Sequence, residues 1–354
     1  MPDSAEAAPR ILVIRRRYLG DVILLSSFLR NLRQHWPHAR LVLLVDQAYL
    51  GGAALLGELD EIVTFPRRAS EWWSFIRRLR RERFTHVLDA DNRDKTALFT
   101  WLSGAPVRVT FDRGAHPKFP FRHRWVYTDA ARMTPEWYDT HHITEIYDAL
   151  LAPVGVPVTT TVPRFRLRQA EVEAMQRLVG GAGGNKLVVH PGSRSAYRRW
   201  PAERFAEVCD RLQDERGTQI FLVGGRAERA FIEEIRSHTN THVVWIDRDL
   251  SVPELAALFA QFPVLLCHDS GPMHLAAGVG TQVVALYGSQ NATVWRPIGD
   301  GHVLLQTELP CSCFPASELP GPCVKEDSYF SYCVRKIGVD PVYQAVSAKL
   351  PAAV

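Results

Sequence analysis

The sequence predicts an α/β protein built from two Rossmann-like halves. Three observations carry this prediction. Short apolar runs alternate with stretches of helical spacing over residues 11–151, and again over 169–286. A Pro- and Thr-rich segment, 153–163, interrupts the pattern between the two sets. Polar, glycine-bearing loops follow several of the apolar runs, where α/β sheets hold their ligands.

The elements follow in order. Residues 11–14 (Ile-Leu-Val-Ile) read as a buried strand, 15–21 as a polar loop and 22–33 as a helix. A strand at 41–45, helices at 55–62 and 71–83 and a strand at 86–90 come next. This β-α-β order predicts a parallel sheet with right-handed crossovers. Strands at 107–109 and 125–127 and a helix at 141–151 complete the first half. The second half reads as helix 169–179, strand 187–190, helix 202–216, strand 220–223 and helix 228–237. Strands at 243–246, 264–267 and 283–286 finish its sheet. The expected domains are 1–160 and 161–354, with the last helix free to pack back on the first. No internal repeat is visible.

The chain has 354 residues, 46% hydrophobic and 23% charged, the balance of a globular protein in water. No run approaches the roughly 18–20 apolar residues that span a bilayer. The run at 11–14 is too short for a signal-peptide core and leads into three arginines, so a cytoplasmic location is expected. The net charge of +4 is modest for a nucleic-acid partner, and none is expected. The charge is uneven. Residues 61–125 hold 14 Lys and Arg against 7 Asp and Glu. Solvated helices or a patch for an anionic partner both explain that excess. The stretch 72–81 mixes two tryptophans with four arginines. It fits an amphipathic helix packed on the sheet, or one resting on an anionic membrane surface.

Four polar loops carry candidate chemistry. The richest is 264–280, where an apolar strand stops at Asp269-Ser270-Gly271-Pro272 and a helical pattern begins. Ser270 or Gly271 can cap that helix and Pro272 suits its first turn. The first-turn amides then hold an anion, beside the Asp269 carboxylate and the His274 imidazole. The loop at 190–201 opens His190-Pro191-Gly192-Ser193 and supplies Arg194, Arg198 and Arg199 before a helix. Ser193 and the guanidinium groups suit a diphosphate. In the third, Gly224-Gly225 follow a strand, and Glu228 is placed to accept ribose hydroxyls. The spacing is not G-x-G-x-x-G, which counts against a nicotinamide enzyme. In the fourth, Arg15 to Asp21, the acidic residue serves as a helix cap, as a general base, or as both. No P-loop, H-E-x-x-H or G-x-S-x-G motif occurs.

Cys311, Cys313, Cys323 and Cys333 fall within 23 residues. A structural Zn or Fe site, free thiols and disulfides all remain open for them. Cys209 and Cys267 lie in apolar patterns and read as core.

Taken together and in order, these loops resemble the bacterial lipopolysaccharide heptosyltransferases of glycosyltransferase family nine. The matching pieces are Arg-x-x-x-Leu-Gly-Asp at 15–21, His-Pro-Gly-Ser at 190–193 with Arg-Arg-Trp-Pro at 198–201, Gly-Gly-x-x-Glu at 224–228, and Asp-Ser-Gly-Pro-Met-His-Leu-Ala-Ala at 269–277. The four-cysteine segment also looks like one found in family members. The resemblance implies a GT-B fold, with two Rossmann-like domains facing each other across a cleft. It implies inverting transfer of heptose from an ADP-sugar donor, ADP-heptose, to an anionic glycolipid acceptor of the lipopolysaccharide inner core. It implies no catalytic metal or cofactor, and allows peripheral association with the inner membrane. Asp21 then matches the general base. Asp269, Ser270, Gly271 and His274 match the donor turn, and Glu228 the ribose contact. Arg198 stands where the family commonly has a Lys on the phosphates. Arg15, Lys118 and Arg122 are the acceptor-contact candidates.

Overall fold

The computed structural model describes residues 8–112, 123–181, 183–193, 198–288, 290–306 and 334–352. The chain divides into two compact units, Met1–Arg166 and Leu167–Val354. No helix among the described residues is long and apolar enough to cross a membrane.

The first unit holds one parallel sheet of six strands: β1 (Arg10–Ile14), β2 (Arg40–Val45), β3 (Glu61–Thr64), β4 (His86–Asp89), β5 (Val107–Asp112) and β6 (Asp129–Arg132). Their order is β3-β2-β1-β4-β5-β6. The second unit repeats the design with β7 (Lys186–His190), β8 (Gln219–Val223), β9 (Val243–Ile246), β10 (Val264–His268), β11 (Gln282–Leu286) and β12 (Val303–Leu305). Its order is β12-β11-β10-β7-β8-β9. Counted from the first strand of each unit, both sheets run 3-2-1-4-5-6, the doubly wound order. The direction of winding reverses between β1 and β4, and between β7 and β10.

The central strands are buried on both faces, which is why they are continuous apolar runs. In the first unit Leu12, Val42, Val87 and the rings of Phe65, Phe75 and Phe99 form one cluster. In the second, Leu187, Leu266 and Val284 pack with Trp200, Phe205 and Ile232. Cys209 and Cys267 are buried free thiols within this unit.

Several expected elements differ. The helix expected at 55–62 is a turn followed by β3; the helical residues are Leu50–Ala53. Gly52 permits this, because a Cβ there would meet Leu19 Cδ1 at 2.7 Å. The strand expected at 125–127 is the helix His123–Val126, and β6 follows it. The single helix expected at 22–33 is two, Leu19–Ile23 and Ser26–His35. Helices Asp94–Ser103 and Val252–Phe259 were not expected at all.

The segment expected to link the domains is a strap bound to the first unit. Asn31 Oδ1 accepts from the amides of Thr159 and Thr160, and Asn31 Nδ2 donates to Thr160 O at 2.9 Å. The Ser26 hydroxyl donates to Arg164 O and accepts from Arg164 N, and Arg166 N donates to Leu55 O. The units therefore part after Arg166 rather than near 160. The final helix, Val339–Lys349, packs on Ala202–Arg216 within the second unit, tied there by Arg211–Asp340 at 2.7 Å. The sequence alone permits a return to the first domain.

Candidate functional site

Ligands of doubly wound sheets bind at the carboxyl edge, where the strand order reverses. Each unit gathers its charged and polar candidates at that place.

In the first unit, β1 ends at Ile14 and β4 at Asp89. The next residue, Arg15, spans the reversal: Nη1 donates to Ala90 O at 2.7 Å and Nη2 pairs with Asp21. Burial opposes the charge on Arg15, but Tyr147, Asp21 and Asp91 outweigh it and raise its pKa. Asp21 is the third residue of helix Leu19–Ile23 and is almost fully buried. Its Oδ2 accepts from Tyr18 N at 3.1 Å, closing the helix start. Its Oδ1 accepts from Arg15 and from the Tyr147 hydroxyl at 2.6 Å. The cap role is therefore real, and Oδ2 carries a single donor among the described residues. An ionised carboxylate offers about four lone-pair positions, so Oδ2 can take a further proton donor.

Two more acids stand beside this pair. Burial pushes Asp89 up to about 6, against hydrogen bonds from the Tyr127 hydroxyl at 2.6 Å and Asn92 N. Burial likewise raises Asp91, with Arg15 and Arg16 pulling the other way.

In the second unit, β7 ends at His190 and β10 at His268. Arg198 Nη2 pairs with Asp269 Oδ2 at 2.7 Å. Burial pushes Asp269 up to about 6 despite that cation. His268 Nε2 accepts the Trp200 amide at 2.8 Å, and the buried Trp200 indole donates to Ile337 O at 2.9 Å. Burial lowers His268 to about 3, so the ring stays neutral and keeps an acceptor nitrogen. These bonds fix residues 198–200 against the end of β10, which delivers Arg198 to Asp269.

The loops after β7 and β8 close on each other around Glu228. Its Oε2 accepts from Gly225 N at 2.9 Å. A Cβ on Gly192 would lie 2.6 Å from Glu228 Cγ and 2.7 Å from His190 Cε1. A Cβ on Gly224 would lie 2.9 Å from Glu228 Cβ. The glycines are there so that the two loops can touch. Ser193 is buried, and its carbonyl accepts from Arg199 Nη2.

Helix Gly271–Gly278 starts beside the Arg198–Asp269 pair, with Pro272 in its first turn. Ser270 occupies the cap position, but its side chain makes no cap bond; its hydroxyl donates to His268 O at 3.2 Å. The expected Ser270 cap is not formed, and no cap side chain competes for an anion at the first-turn amides. His274 is buried within this helix.

The structure thus brings Asp21 and Arg15 together in one unit, and Ser193, Arg198, Glu228, Asp269, Ser270, Gly271 and His274 on one edge of the other. Arg15, expected at an acceptor, is committed to Asp21 and Ala90. Arg194, Lys118, Arg122 and the cysteines Cys311, Cys313, Cys323 and Cys333 lie outside the described residues. Among the described residues no group of three His, Cys, Asp or Glu is placed to hold a metal. The sequence reading missed Tyr147, which lies far along the chain from Asp21 and in an apolar helical pattern. It also missed His268, whose place at the strand end before Asp269 was an available signal.

The description Glycosyltransferase family 9 (heptosyltransferase) matches residues 72–318. Lipopolysaccharide heptosyltransferase 3 of Escherichia coli is 24% identical over 293 residues, 79% of this chain and 84% of that one. Lipopolysaccharide core heptosyltransferase OpsX of Haemophilus influenzae is 23% identical over 325 residues, covering 90% and 92%. Among solved structures, a family 9 glycosyl transferase of Veillonella parvula aligns with a TM-score of 0.80 at 23% identity, covering 96% of this chain and 97% of that one. The ADP-heptose lipopolysaccharide heptosyltransferase II of E. coli aligns at 0.74 and 20% identity, covering 96% and 98%. The likeness to these structures is one of fold, the GT-B class with its two Rossmann-like units.

Proposed function

Because this chain belongs to glycosyltransferase family 9, the heptosyltransferase family, we propose that it moves heptose from ADP-heptose to a hydroxyl of a lipopolysaccharide inner-core acceptor, with inversion and without a catalytic metal. The observation that carries this reading is the carboxyl edge of the second sheet. There an anion-ready helix start, the Arg198–Asp269 pair and the Glu228 loop stand side by side. The names of the relatives support the sugar and the acceptor. The name of the E. coli enzyme supports the nucleotide.

In this reading Glu228 accepts the ribose hydroxyls. The amides at 271–273, Ser193 and Arg198 hold the diphosphate. An acceptor hydroxyl attacks the anomeric carbon as the bond from that carbon to the phosphate oxygen breaks. The electron pair leaves with ADP, and the proton goes to Asp21 Oδ2. Arg15 and Tyr147 hold Oδ1 and aim the other oxygen at the acceptor. General base catalysis is typically worth ~10²–10⁴-fold. A well-placed donor to the departing charge is worth about 3 kcal/mol.

The test is a panel of nucleotide sugars with core acceptors, read by mass and by the anomeric configuration of the product. Transfer from ADP-heptose with inversion is expected. No transfer from any donor by folded protein would sink the reading. Asp21→Asn should lower turnover by at least ~10²-fold while ADP still binds. Normal turnover in that variant would leave Asp21 a helix cap only.

A further inference from the structure

The first unit carries a surface that the transfer chemistry does not use. Helices Trp72–Glu82, Asp94–Ser103 and His123–Val126 pack in one row, the first on the second and the second on the third. Their inner faces are spent on the core. Trp72, Phe75 and Phe99 interlock edge to face, with Leu79 buried beside them.

The outer faces are unusual. Trp73 is 77% exposed, Trp101 54% and Trp125 81%; Leu98 lies one turn before Trp101 and is also exposed. These three are the exposed tryptophans among the described residues. Trp73, Arg77 and Arg81 follow each other at intervals of four, so they share one side of their helix. Arg80 Nε donates to Leu102 O at 3.1 Å and clips the first helix to the second.

The charge on this face is lopsided. Arg77, Arg81 and Lys95 have no ion-pair partner among the described residues. Arg78 is neutralised by Glu61. The acids on the face are Glu71, which accepts from the amides of Arg67 and Arg68, and Asp94 beside Lys95. Indole rings with a polar N–H on an apolar body, ringed by unpaired cations, match a lipid headgroup layer of negative charge. A protein partner would need facing acids and pockets for three rings.

We propose that this three-helix face docks on an anionic lipid bilayer, with Trp73, Trp101 and Trp125 entering the headgroup layer and Arg77, Arg81 and Lys95 over its phosphates. The inference deepens the proposed function, since it rests on that reading for its purpose: an acceptor anchored in lipid is met at a bilayer. The binding itself is measured without it.

The experiment is flotation of the full chain with vesicles of phosphatidylcholine alone, or with phosphatidylglycerol added. The parent should bind the anionic vesicles at least ~10-fold tighter, and high salt should weaken this. Trp73→Ser with Trp101→Ser and Trp125→Ser should lose at least ~10-fold in vesicle binding. Arg77→Gln with Arg81→Gln and Lys95→Gln should lose the preference for the anionic vesicles. Both triple variants sit on exposed positions, and an unchanged melting temperature verifies folding. Transfer to an acceptor freed of its lipid chains should be unchanged in both, while transfer to the vesicle-borne acceptor falls. The proposal is overturned if the parent does not float, or if the tryptophan variant floats like the parent. It is equally overturned if the substitutions abolish self-association and leave vesicle binding intact. Vesicle binding without transfer to any acceptor would overturn the proposed reaction and spare the docking face.

Discussion

Asp269 sets two pH dependences that run the same way. Its proton is held more tightly in the fold than in an ordinary carboxyl, whose pKa is about 3.9, because burial raises it to about 6. Its share of stability is therefore full below the ordinary value and is lost as pH rises through about 6. Anion binding follows the same direction for a different reason. Ionised Asp269 adds a negative charge at the proposed diphosphate site and competes for Arg198. A diphosphate diester does not titrate in this range. Affinity for ADP-heptose should thus rise severalfold between about pH 7 and about pH 5, and titration calorimetry across that span should show it. Asp269→Asn should flatten the profile. A parent profile that is already flat would mean that Asp269 does not face the phosphates.

At the scale of elements, the closing of two loops on Glu228 is the most sensitive piece of packing. Gly192→Ala puts a methyl group 2.6 Å from Glu228 Cγ and 2.7 Å from the His190 ring. One neighbour is a flexible side chain and the other belongs to a fully packed strand end, so both loops have to shift. A cost of ~1–3 kcal/mol is expected, seen as a lower denaturant midpoint, together with weaker ADP binding. Unaltered binding would separate the glycine from the nucleotide site.

The strands were the most legible elements, because a parallel strand buried on both faces is an unbroken apolar run. Residues 243–246 and 202–216 fall on the observed elements to the residue. Short elements were less readable. Residues 55–62 carry leucines at helical spacing, yet they turn and lead into β3, while the helix before them is held close to Leu19 at Gly52. Helix Val252–Phe259 had a signal that went unread: Ser251 and Glu254 form a capping box at its start. In the site, the glycines and the carboxylates after each strand were visible. Tyr147 was not, since only the fold brings it to Asp21. Nor was the Ser270 hydroxyl, which turns from the helix start to the His268 carbonyl.

For the molecule as a whole, the strap over 156–166 decides where the first unit ends. Asn31 satisfies the amides of Thr159 and Thr160 and one carbonyl, and the Ser26 hydroxyl serves both backbone groups of Arg164. Asn31→Ala removes the first anchor and leaves two amides without their acceptor, at a cost of ~1–3 kcal/mol if they stay buried. Hydrogen exchange should then speed up at Thr159 and Thr160 well before the rest of the unit. Unchanged protection there would show that Ser26 and Leu55 suffice.

The shared order of the two sheets bears on how such a molecule acquires new tastes. The strands of each unit fold on apolar runs that end where the polar loops begin, so a loop can be rewritten without disturbing the core below it. In the proposed reaction the two edges serve different ligands, so a change on one is expected to leave the other intact. Variation confined to the loops of one edge would then alter one ligand of the proposed reaction while the strands beneath keep their packing.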